Sequence, residues 1–213
     1  TMTACSSSDA SGISTCTLKA TKAETKTLSI ATPVVKAGGT VVFTAGVADS
    51  AHSDLVGTTP VSADGISVSF ITISLGDAFG NPVSGSTPIF NATDTNSTNV
   101  YGACSASDAT GISMCTLAST KAEVKTLSIL TPVVKVGTTV TFVAGSPVAL
   151  NSSITGTGPV VADGTSTSTV TITLKDASNN PVSGTVPTFG ATDTGSGNTY
   201  GTCSSSDASG IST

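Results

Sequence analysis

Displaced by 99 residues, the chain lies back on itself without a gap: Cys5, Cys104 and Cys203 share one position, as do Asp9, Asp108 and Asp207. Residues 1–99 and 100–198 agree at roughly 60 positions. Self-similarity at a fixed period of this size marks modules stacked in tandem, so the chain reads as a structural rod and not as the frame of a single active site. A unit of 99 residues lies within the usual range for one domain, large enough to bury a core and small enough to gain from covalent bracing. Thr199 to Thr213 repeat the first 15 residues almost letter for letter, so the chain reads as a window on a longer periodic protein.

Charged residues make up 10% of the chain and hydrophobic residues 38%, which is too apolar and too weakly charged for a disordered segment. Ser and Thr abound, while Trp, Arg and Gln are absent. Such a composition makes poor helices but suits pleated surfaces, where Thr and Val pack well. The net charge of −5 leaves no basic stripe for a phosphate backbone, so nucleic acid is not expected as a partner. No apolar run is long enough to span a membrane, and no signal peptide opens the chain.

The cysteines bracket turn signals. Cys5 and Cys16 flank SSSDASGIST, and Cys104 and Cys115 flank SASDATGISM. If Asp9 to Gly12 reverse the chain, Cys5 and Cys16 face each other across a hairpin at a separation that a disulfide can close. We read both pairs as disulfides of an oxidising compartment. The competing arrangement is a metal site, which needs more Cys or His nearby, and the sole histidine, His52, becomes Asn151 one period later. The counterpart of Cys16 and Cys115 would follow Thr213, so Cys203 is expected to be unpaired by truncation.

Short stretches separated by turn signals every roughly 8–12 residues predict an all-β sandwich or barrel of seven to nine strands per unit. The clearest strand is predicted over 165–174, with Val170, Ile172 and Leu174 on a buried face and Thr residues on the other. Its counterpart turns Ile71, Ile73 and Leu75 inward and leaves Val68 and Phe70 outward. A Gly/Asn/Pro turn follows at Asp77 to Gly85 and at Asp176 to Gly184. The cysteine hairpin is expected to carry Ile112 and Leu117 inward, and a last strand Val140, Phe142 and Ala144. The copies diverge most over Val47 to Gly57 against Ser146 to Gly156, which places boundaries near Gly46 and Gly145. Residues 47–145 would then be one complete domain, preceded by the latter half of one (1–46) and followed by the first part of another (146–213).

The segment ADGTSTSTVTITLKDASNNPVSG (162–184), together with SDATGISMCTLASTKAEVKTLSI (107–129) of the preceding copy, resembles bacterial Ig-like repeats of the invasin and intimin type. Those repeats share an Ala-Asp-Gly start, a strand ending in Asp-Ala-x-Gly-Asn-Pro-Val and a late hairpin leading to Leu-x-Ser-Thr-Lys-Ala. Two departures stand out: Glu24 and Glu123 replace the usual Gly after Lys-Ala, and the Cys pair around the late hairpin is atypical. The resemblance implies tandem Ig-like antiparallel β-sandwiches in an exported protein, forming the stalk or filament of an extracellular bacterial adhesin or matrix fibre. The partners so implied are neighbouring repeats, sister fibres, and a host or cell-surface receptor reached through a region outside this chain.

Chemistry is not expected of this chain. A serine hydrolase would need a histidine base, and only His52 is present. Asp64/Asp163, Asp77/Asp176 and Asp94/Asp193 recur with the period, and aspartates near junctions suit calcium, although turn and cap roles explain them equally well. The sequons at Asn91, Asn96 and Asn151 are not repeated one period away. Lys175 invites the idea of an intramolecular isopeptide crosslink, but Gly76 holds that place in the other copy. No catalytic residue, cofactor or metal ligand is assigned. The alternative to a scaffold is a binding module in which Val68 and Phe70 or the variable 47–57 segment meets a receptor, glycan or sister fibre.

Overall fold

Alternation along the strands decides what is buried. The computed structural model describes residues 4–195 and 197–213, and no helix occurs among them. In the middle unit, β5 (Ser69–Ser74) points Ile71 and Ile73 into the core with Leu75 following, while Phe70 stays 52% exposed on the opposite face. The period of two explains why the threonine-rich face is the wet one.

Two short strands open the chain, β1 (Thr25–Ile30) and β2 (Lys36–Val42), paired antiparallel. Eight strands then build the middle unit: β3 (Asp54–Gly57), β4 (Val61–Ser62), β5, β6 (Ile89–Ala92), β7 (Asn99–Gly102), β8 (Ile112–Ser119), β9 (Val124–Thr131) and β10 (Lys135–Val143). They form two four-stranded sheets in the orders β3-β5-β8-β7 and β4-β10-β9-β6. Every ladder is antiparallel except the two-residue pairing of β4 with β10, which is parallel. β11 (Ser153–Gly156), β12 (Val170–Thr173) and β13 (Ile211–Ser212) form a third sheet.

The core of the middle unit lies between its two sheets. Leu55, Ile71, Ile73 and Leu117 come from one, Phe90, Leu127, Ile129, Val140 and Phe142 from the other. What the second sheet contributes is visible by comparing equivalent residues. Leu127 and Ile129 are fully buried, whereas Leu28 and Ile30, one period earlier, are 43% and 50% exposed. The residues are the same, and among the described residues only the middle pair has a facing sheet to cover it.

Two expectations need correction. β12 is shorter than the predicted 165–174 strand, because Asp163 Oδ1 accepts the N–H groups of Thr165 and Ser166 and holds that stretch in a turn. In β8 the inward row is Ser113, Cys115 and Leu117, so Leu117 is buried as expected but Ile112 falls on the other face and is only half-buried. Ser113 is tolerated inside because its hydroxyl donates to the Ser105 carbonyl at 2.6 Å. The turn before β8 depends on Gly111, at φ 81°, where an added Cβ would lie 2.5 Å from the Leu75 carbonyl oxygen.

Candidate functional site: an aspartate–asparagine clamp at each junction

The recurring Asp-Ala-x-x-Asn-Pro segment folds back on itself first. Asp77 N–H donates to the Asn81 carbonyl at 2.9 Å, and Gly80 N–H to the Asp77 carbonyl at 2.9 Å. Gly80 takes a positive φ of 77°; its counterpart Asn179 takes 66°, a conformation that asparagine tolerates. This turn sets the Asn81 amide against the Asp77 carboxylate at 2.9 Å and 3.1 Å.

The two side chains then reach back to Gly46 and to the loop before β1. Asp77 Oδ2 accepts Gly46 N–H at 2.8 Å, while Oδ1 accepts Phe79 and Asn81 N–H at 2.9 Å each. Asn81 Nδ2 donates to the Thr21 carbonyl at 2.8 Å, and Asn81 Oδ1 accepts Ala23 N–H at 2.8 Å. The same set recurs 99 residues on. Asp176 Oδ2 accepts Gly145 N–H at 2.9 Å, Asn180 Nδ2 donates to the Thr120 carbonyl at 2.9 Å, and Asn180 Oδ1 accepts Ala122 N–H at 2.8 Å. All four side chains are buried, which makes their satisfied hydrogen bonds a requirement of the fold.

Charge is held in place by the same contacts. The Asn81 amide, followed by Gly46 N–H, keeps the Asp77 carboxyl well below the usual carboxylate range. Burial pushes Asp176 up, but the Asn180 amide and the N–H groups of Gly145, Asn180 and Ser178 outweigh it and leave that carboxyl lowered as well. Each clamp therefore carries a carboxylate at neutral pH that accepts backbone donors from both sides of the crossing.

The other recurring aspartates act locally. Asp64 accepts the N–H groups of Ile66 and Ser67 and the Ser67 hydroxyl. Asp94 accepts Thr98 and Asn99 N–H and lies near Lys125. Among the described residues, no three His, Cys, Asp or Glu side chains gather where a metal ion would sit. His52 is exposed and lies 3.0 Å from Asp49. Lys175 takes part through its backbone, its carbonyl accepting Val148 N–H and its N–H donating to the Ser152 hydroxyl. The disulfides join Cys5 to Cys16 and Cys104 to Cys115, with Cα atoms 4.3 and 4.2 Å apart. Cys115 belongs to the core of the middle unit. Cys203 is a free, half-buried thiol packed beside Ile172, Leu174 and Val182.

Sequence reasoning gave Asp77 and Asp176 turn, cap or calcium roles and passed over Asn81 and Asn180. The signal was available: both asparagines survive in a turn whose neighbouring Phe79-Gly80 becomes Ser178-Asn179. Lys125 was missed in the same way, although it falls in alternation with Leu127 and Ile129.

Residues 149–213 match the family described as Invasin, domain 3. Among solved structures, invasin, a bacterial integrin-binding protein, is similar with a TM-score of 0.56 and 26% identity, over 83% of this chain and 37% of its own. The Escherichia coli adhesin FdeC gives a TM-score of 0.56 at 23% identity, over 83% of this chain and 58% of its own. Yersinia pseudotuberculosis InvD gives 0.61 at 21% identity, over 86% and 59%. This chain thus spans less than two thirds of each of these structures. No curated protein matches the sequence.

Proposed function

We propose that this chain, which matches Invasin, domain 3 over residues 149–213 and resembles the invasin structure in fold, is a non-catalytic segment of the stalk or filament of an extracellular bacterial adhesin or matrix fibre. Its domains are delimited near Gly46 and Gly145, with 47–145 as the complete one. The observation that carries this reading is the repetition of one clamp at both crossings, with the same atoms paired at 2.8–2.9 Å. A repeated connection gives successive domains one relative orientation, and many such steps give a semi-rigid spacer. Its mechanism is mechanical: domain number sets reach, the clamps set stiffness, and the hairpin disulfides limit unravelling of the late strands. Disulfides also suit an extracellular setting.

Negative-stain electron microscopy of the full chain tests it. Elongated particles of uniform length are expected, and collapsed particles with no preferred axis would contradict the reading.

One observation favours a binding module as the second reading. Phe70 and Phe79 are 52% and 68% exposed in the middle unit, and Thr169 and Ser178 replace them one period on, so the aromatic surface is particular to one domain. Glycan-array or cell-surface binding that Phe70→Ser abolishes would support it, and absence of binding at micromolar protein would count against it.

A further inference from the structure

Lys125 has no exposed side-chain surface, although it stands on the β9 face that otherwise delivers Leu127 and Ile129 to the core. Its Nζ lies 2.6 Å from Glu123 Oε1, 3.8 Å from Asp94 Oδ1 and 3.4 Å from the Thr93 carbonyl oxygen. The ammonium sits 6.0 Å from the centre of the Phe142 ring. The Asp94 carboxylate is itself held from the far side. Its Oδ1 accepts the N–H and hydroxyl of Thr98, and Oδ2 accepts Asn99 N–H, all at 2.9 Å. Glu123 is fixed by the Thr95 hydroxyl at 2.6 Å.

We propose that Lys125 and Asp94 close an intramolecular amide bond, with Glu123 carrying the protons. Glu123 takes one proton from the Lys125 ammonium, which frees the nitrogen lone pair to attack Asp94 Cγ. The new C–N bond forms as a tetrahedral centre whose negative oxygens face the N–H groups of Thr98 and Asn99, donors already in place for that charge. Glu123 then relays protons to one of those oxygens, and the C–O bond breaks. Of the three ammonium protons, one stays on the amide nitrogen and two leave with the oxygen as water. The step is a condensation and needs no oxidant, reductant or bound group.

Three physical terms favour it. A lysine amine removed from water is a nucleophile once deprotonated. Groups held in contact react at effective concentrations far above any in solution, reaching about 10⁵ M or more when well aligned. Lys125 Nζ is held wholly out of water while the Asp94 side chain stays 19% exposed, so condensation to an amide removes a buried charge that the ion pair only partly compensates. Burial raises Asp94, but the Thr98 and Asn99 N–H groups, the Thr98 hydroxyl and Lys125 outweigh it and leave its carboxyl lowered. In Glu123, likewise, burial is outweighed by the hydrogen bond from Lys125. Glu123 Oε1, 2.6 Å from Lys125 Nζ, is the group placed to receive the proton.

The components recur with the period. Glu24 and Lys26 are hydrogen-bonded in the first unit, and Thr192-Asp193 repeats Thr93-Asp94 in the third. Glu24 and Glu123 stand where the resembling repeats carry glycine. Within this chain the middle unit alone, among the described residues, brings lysine, glutamate and aspartate together in this way, so one bond is expected.

Intact mass spectrometry of the full chain decides it. The folded protein is expected to be lighter by one water than its sequence less the disulfide hydrogens, with a branched peptide joining Asp94 to Lys125. Lys125→Met and Glu123→Gln should retain the full mass while still melting cooperatively. A folded wild-type chain at full mass, a water loss that survives Lys125→Met, or a loss that maps to other residues would each overturn the proposal.

Discussion

Asn81 uses both ends of its amide on backbone groups of the preceding repeat, the Thr21 carbonyl and Ala23 N–H. Replacing it with alanine leaves a buried donor and acceptor without partners, and an unsatisfied buried group costs about 1–3 kcal/mol. Asn81→Ala should therefore lower the thermal midpoint, whereas Asn96→Ala, at an exposed loop position, should not; scanning calorimetry of both variants measures the difference. Gly111→Ala should destabilise by about 2 kcal/mol or more, because it imposes a positive φ on a side chain and drives Cβ against the Leu75 carbonyl. Denaturant unfolding gives that value directly. The carboxylates fix the response to acid. Asp64 is held at about 2 by the Ser67 N–H and hydroxyl and by Ile66 N–H, and Asp77 lies lower still. Both folded values are depressed below the ordinary carboxylate value of about 4, so their contribution is complete above about pH 4 and is lost as pH falls through the folded values. Melting midpoints should be flat from neutral to about pH 4 and drop steeply toward pH 2; a midpoint that rises on acidification would contradict the assignment.

Cys115 sits in β8 between Ser113 and Leu117, on the strand that carries both the disulfide and the core. Reduction removes a loop constraint worth about 3 kcal/mol or less for so short a separation, whereas Leu117→Ala removes fully buried apolar volume at about 2–5 kcal/mol. Both should lower the unfolding midpoint, and dithiothreitol that left it unchanged would remove the bracing role. The hairpin and the sandwich were legible because alternation, Asp-x-x-Gly turns and symmetric cysteines are local signals. What was not legible depended on side chains competing for the backbone. Asp163 captures Thr165 and Ser166 N–H and so shortens the strand that the threonine alternation predicted. The facing of Ile112 was missed for a different reason: the pairing of β8 with β5 sets Ser74 opposite Ile112 and Ile71 opposite Cys115, and that register cannot be read from β8 alone. Asn81 and Lys125 escaped because their partners lie 60 and 31 residues away, at Thr21 and Asp94.

A chain of domains transmits orientation only as well as its crossings hold. On the proposed boundaries each crossing ties Gly46 or Gly145 to an aspartate of the following unit, and an asparagine beside that aspartate grips the loop before β1 or β9. The period was visible in the sequence, but the means of joining successive units was not, since it consists of backbone groups that every residue carries. Small-angle X-ray scattering of the wild type against the Asn81→Ala, Asn180→Ala double variant tests this most directly. The account predicts that the wild-type profile fits one rigid arrangement, while the double variant, still folded domain by domain, spreads to a broader range of dimensions. Superimposable profiles from two folded proteins would show that the clamps do not set the geometry of the array.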